Sequence, residues 1–197
     1  MSGSLRIGLD TRPLERVEAD VAIAGVFADE RPLRGAAGRA DWRLCGLLTR
    51  LVLDDRLDAS PGAATLVGTS GRLAAPALLV VGLGARARFG AQALEDATRS
   101  AVARAVALSS ARAALAPFGI DGDELVRHAR ALVEGALAGL GTATLAVRLC
   151  VPEAEESRVR RELVRVVRSA AIEIEPPAPT ADGARAGATS PPSAAPR

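Results

Sequence analysis

Short apolar runs of strand length alternate with longer segments of helical period from Leu5 to Glu175, and this alternation limits the fold more than any other feature. Leu5, Ile7 and Leu9 alternate as a half-buried strand does. Residues 20–27 (DVAIAGVF) form a nearly continuous apolar run, followed by runs at 64–67, 77–81, 112–116 and 144–151 (TLAVRLCV). Helical spacing is read over 40–55 through Leu44, Leu47, Leu48 and Leu51, with Asp41 near the start as a favourable N-terminal charge. It recurs over 91–108, with Leu94, Val102 and Val106, and over 121–140, with Leu125, Ala129, Leu132, Val133, Ala136 and Leu137. A last amphipathic helix is predicted over 153–170. Strands alternating with helices predict an α/β layered fold. The link between runs 64–67 and 77–81 is too short for a crossover helix, so the sheet is predicted to be mixed.

Composition changes abruptly after Glu175. Residues 176–197 read PPAPTADGARAGATSPPSAAPR, with no large apolar side chain to offset the entropy of ordering. A folded unit over 1–175 and a disordered tail over 176–197 are expected. The N-terminus lacks a basic region followed by an apolar one, so no signal peptide is read. No uncharged stretch is longer than 73–85, which is broken by Pro76, Gly82 and Gly84 and is too short to span a bilayer. Cys45 and Cys150 are expected as buried, reduced thiols in a cytoplasmic protein with no membrane association.

Several chemistries are excluded outright. All 25 basic residues are arginine, so there is no P-loop, Schiff-base or general-base lysine. Two cysteines and one histidine cannot assemble the usual structural zinc sites, and no cofactor or metal is predicted. The formal net charge is only +2. Arg158, Arg160, Arg161, Arg165 and Arg168 are offset by nearby glutamates, so a nucleic-acid partner is not expected.

The individual motifs have ordinary structural explanations. Gly82-Leu83-Gly84-Ala85-Arg86-Ala87 fits a dinucleotide fingerprint, but it does not follow the first strand, and no acid lies about 20 residues beyond it. A glycine-bearing strand exit is the better reading. His128 lies mid-helix between Arg127 and Arg130, where an ordinary surface histidine is expected. Asp121, Asp123 and Glu124 are placed to cap and charge a helix start, with Asp121 as N-cap and Glu124 at the capping-box position. The loop bearing Arg31, Arg34, Gly35, Gly38 and Arg39, with Arg43 beyond, is the candidate anion-binding element. Asp29, Glu30 and Asp41 neutralise much of its charge, and Trp42 beside it is expected to pack on the sheet.

Taken in order, these segments resemble the N-terminal domain of the leucyl aminopeptidase (M17) family. The resemblance rests on DVAIAGVF with its acidic exit, on ADWRLCGLLTRL after a Gly-rich loop, and on LLVVGLG. It continues through FGAQALEDATRSA, ELVRHARALVEGALAGL and TLAVRLCVPEAEESRVRREL, and spans roughly residues 18–170. Where the family carries an aromatic stretch after ELVRHARALVEGALAGL, this chain has Gly141-Thr142-Ala143. The resemblance implies a macro-domain-like three-layer fold with a central mixed sheet flanked by helices. It also implies that the family's metal-bearing catalytic half has no counterpart here, since its N-T-D-A-E-G-R segment and its lysines are missing. A stand-alone non-catalytic interaction or regulatory module is therefore expected. The alternatives are an accessory chain of a split metalloaminopeptidase and a macro-like ligand or nucleic-acid binder. Helix 153–170 corresponds to the family's connector. Its Val159, Leu163, Val166 and Val167, with the alternating 171–175, form a candidate interface for a protein partner or a second copy.

Overall fold

The computed structural model describes residues 3–120 and 122–176. Among these, seven strands and five α-helices follow in the order β1 (Ser4–Asp10), β2 (Val21–Val26), α1 (Gly35–Arg43), α2 (Leu47–Leu53), β3 (Ala64–Gly68), β4 (Ala77–Gly82), α3 (Ala91–Ala107), β5 (Arg112–Leu115), α4 (Gly122–Leu140), β6 (Thr144–Cys150), α5 (Glu153–Val166) and β7 (Ile172–Ile174). They form one sheet in the order β3-β4-β2-β5-β6-β1-β7. Only β3, at one edge, is antiparallel to its neighbour; the sheet is mixed, as predicted.

Alternation within each strand sends side chains to two separate cores. On one face Leu5, Ile7, Ile23, Val81, Leu115 and Val147 meet the apolar stripes of α3, α4 and α5. On the other, Ala22, Ala24, Leu78, Val80 and Ala114 meet α1 and α2 together with Leu14 and Val17 of the β1–β2 crossover. This second core takes nothing from β1 or β7. The three-layer sandwich is thus complete over one half of the sheet and two-layered over the other.

Helices α3 and α4 approach closely because α4 carries Gly135 and Gly139. A β-carbon at these positions would sit 2.3 Å from the Glu95 carbonyl oxygen and 2.4 Å from that of Arg99. Among the described residues, no helix is long and apolar enough to cross a membrane.

Two elements differ from the sequence reading. The helix predicted over 40–55 is two helices, since Cys45 (φ 56) and Gly46 (φ 76) take left-handed conformations between them. Asp41 therefore serves the second helix: its carboxylate accepts from the Thr49 backbone N–H at 3.1 Å and the Thr49 hydroxyl at 2.5 Å. The helix predicted to reach 170 stops at Val166, and the chain then adds β7 beside β1 in parallel. The capping role read for Asp121 and the tail beyond Pro176 fall outside the described residues.

Candidate functional site

Open α/β sheets take ligands in the crevice outside the carboxyl ends of their strands, here the exits of β2, β4 and β5. Phe27 leaves β2 buried, edge-on to Phe89 with ring centroids 5.2 Å apart. Arg86, just after β4, lies with its guanidinium 4.7 Å from the Phe27 ring centroid. Its Nη1 donates to the Gly119 carbonyl at 2.9 Å, and its backbone N–H donates to Asp29 Oδ1 at 2.9 Å. One residue thereby ties together the ends of all three strands.

The floor of the crevice is also filled. Phe118 (φ 50) and Gly119 (φ 74) turn the chain back after β5. A β-carbon on Gly25 would meet Leu83 at 2.5 Å and Phe118 at 2.8 Å, so these side chains occupy the space above β2. A cavity of about 70 Å³ remains, bordered by Arg34, Gly35, Arg86 and Gly119. Small-molecule sites usually enclose about 300 Å³ or more.

The arginine loop leading into α1 is divided in its contacts. Arg31 Nη1 donates to the carbonyls of Phe27 and Glu30, at 2.9 and 2.7 Å, and so ties down its own loop. Arg34, Gly35, Gly38 and Arg39 do come together, along a shallow surface groove of about 550 Å³ that Trp42 and Arg43 share. Arg39 there is engaged by Glu15, Nε to Oε2 3.4 Å. Trp42 corrects the expectation of packing on the sheet: it is 78% exposed, because α1 turns Ala37 and Ala40 to the core instead.

The candidate interface on α5 is corrected as well. Val159, Leu163 and Val166 are buried in the first core and Val167 packs against it, so these side chains complete this domain's own interior. The glycines of the LLVVGLG exit let backbone meet backbone: a β-carbon on Gly82 would lie 2.2 Å from the Ser60 carbonyl oxygen. Asp123 pairs with Arg158, joining α4 to α5, and His128 is half-buried on α4. Cys150 is buried, and desolvation pushes its thiol up to about 12; Cys45, expected to be buried, is exposed. Among the described residues no group of three or more His, Cys, Asp or Glu could hold a metal ion.

Sequence reasoning missed Arg86. Its one signal was its place two residues after the strand exit VVGLG, where a side chain can reach the neighbouring strand ends.

This architecture defines a macrodomain-like α/β domain. The chain has a TM-score of 0.63 and 16% identity to a Trypanosoma brucei macrodomain in complex with ADP-ribose, over 78% of this chain and 67% of that one. An Oceanobacillus iheyensis macrodomain with ADP gives 0.62 and 10%, over 80% and 90%. A tomato leucine aminopeptidase mutant gives 0.61 and 16%, over 82% of this chain but only 36% of the enzyme's. Residues 23–141 match the N-terminal domain of the cytosol aminopeptidase family, and the chain belongs to that family. No curated protein matches it in sequence.

Proposed function

We propose that this domain is a non-catalytic interaction module whose macrodomain-like crevice is closed to nucleotides by its own side chains. The observation that carries this reading is the packing of Leu83, Phe118 and Arg86 above β2, which leaves about 70 Å³. A nucleotide would have to displace the Arg86 contacts to the Gly119 carbonyl and the Phe27 ring before its phosphates could approach the backbone. The matched region is the family's N-terminal domain, and peptide hydrolysis by a bound metal needs ligands with an open coordination position.

Calorimetric titration with ADP-ribose and with ADP tests this directly, with no binding at micromolar concentration as the expected result. A parallel assay with leucyl-anilide and manganese should give no turnover above background. Micromolar binding of either nucleotide, or metal-dependent turnover that survives removal of contaminating peptidases, would overturn the proposal.

A further inference from the structure

Parallel strands are ordinarily covered on both faces, yet β1 and β7, and β6 before Cys150, have helices on one face only. Their other face forms the floor of a groove of about 720 Å³, walled by the β1–β2 crossover on one side and by Glu175 on the other. The registers order its charges. Arg6 of β1 and Arg112 of β5 both pair with Ala146 of β6, which places the two arginines on either side of a small residue at the groove's lower end, where Asp20 engages Arg112 at 3.4 Å and leaves Arg6 as the charge open to a ligand. One step up, Arg148 is neutralised by Glu175 at 2.5 Å.

The upper end is acidic. Asp10 closes the strand, and Glu153 and Glu156 enter from the first turn of α5. Asp10 is held by Arg12 at 2.7 Å and Glu156 by Arg160 at 2.7 Å. Glu153 makes no ion pair among the described residues; nor, at the other end, does Arg6. Arg6 and Asp10, which mark the two ends, stand about four residues of strand apart, or about 13 Å.

This polarity selects a ligand class. A lone anion or a lone cation would satisfy only one end of the groove. A ligand with a carboxylate and an ammonium group about 13 Å apart satisfies both, which is the span of an extended peptide of about four residues. We propose that the groove binds a short unblocked peptide, its carboxylate at Arg6 and its amino group at Glu153.

The test is a titration of the whole protein with tetra-alanine, its N-acetyl form, its C-terminal amide and the doubly blocked form, followed by backbone amide shifts and calorimetry. Tetra-alanine should bind at millimolar concentration or below and shift the amides of Arg6 and Ala146. Blocking either end should weaken binding by about tenfold, the scale of one charge-assisted contact. In Arg6→Gln the amide and the free acid should bind alike, and in Glu153→Gln the acetyl and free-amine forms should bind alike, each variant keeping its thermal midpoint. Absence of binding at millimolar tetra-alanine, or equal binding of the doubly blocked peptide, would overturn the assignment. Neither result bears on whether the crevice above β2 admits a nucleotide.

Discussion

Arg148 of β6 reaches across Gly8 of β1 to pair with Glu175 at 2.5 Å, and a β-carbon on Gly8 would stand 2.1 Å from its Nη1. The glycine leaves room for an arginine to lie along an open sheet face. Glu175 is anchored in turn through its backbone N–H, which donates to the Ile7 carbonyl at 2.9 Å.

Glycine-to-alanine substitutions should therefore separate two kinds of close approach. At Gly8 the obstructing atoms are ends of flexible, partly exposed side chains, so Gly8→Ala should shift stability by no more than about 1 kcal/mol. At Gly139 the obstruction is the Arg99 carbonyl and the Ala103 backbone nitrogen. There the helices must part, and Gly139→Ala should lower stability by about 2 kcal/mol despite alanine's better helix propensity. Urea unfolding of the two variants side by side reads the difference; equal losses would contradict it.

Asp20 provides the pH test. Its carboxylate accepts from the backbone N–H groups of Arg112 and Ala111, each at 2.9 Å, and these bonds hold its pKa below the ordinary 3.8. A depressed folded-state pKa stabilises fully above the ordinary value, and that stabilisation is lost as pH falls through the folded value. Asp20→Asn should thus be less stable than the parent at neutral pH by about 1 kcal/mol, with the gap closing as pH drops below 3.8. A gap constant across the acid range would refute this role.

The two thiols should differ sharply in reactivity. Cys45 is exposed on the turn between α1 and α2, whereas Cys150 is buried with its pKa pushed up to about 12. Iodoacetamide should label Cys45 alone in the native protein, and Cys150 only on unfolding, as read by intact mass and peptide mapping. Labelling of both at one rate would mean that β6 opens readily at its carboxyl end.

Leu163 and Trp42 exchange the places that their surroundings in sequence suggest. Leu163→Ala should cost about 2–5 kcal/mol, because the side chain is fully buried. Trp42→Ala should stay within about 0.5 kcal/mol of the parent, its ring being mostly in water. Thermal and chemical unfolding of both decides the order, and a larger loss at Trp42 would place its ring against a surface.

These cases mark how far the sequence was legible. Short apolar runs, period-two alternation and the 3.6 period located the strands and nearly every helix, because burial acts on each segment separately. The break at Cys45-Gly46 was obscured because Leu44, Leu47, Leu48 and Leu51 keep helical spacing across it. Trp42 was misplaced because a large aromatic carries no record of which helix face it occupies until neighbours such as Ala37 and Ala40 take the core. The arginine loop was seen as one cluster, but partners distant in sequence divided it: Glu15 took Arg39, while Arg31 turned to its own backbone. Arg86 and the charged groove needed the strand order itself, which fixes which residues become neighbours.

The first strand lies between the last two, bonded to Thr144–Cys150 on one side and Ile172–Ile174 on the other. During synthesis it emerges before the other six described strands and has neither partner until β6 leaves the ribosome. The half-sheet of β4, β2 and β5 can assemble while β1 waits, so vectorial folding divides the domain in two. A nascent chain stalled before Thr144 presents an unpaired apolar strand to chaperones, and closure of the sheet is deferred until β7 has emerged.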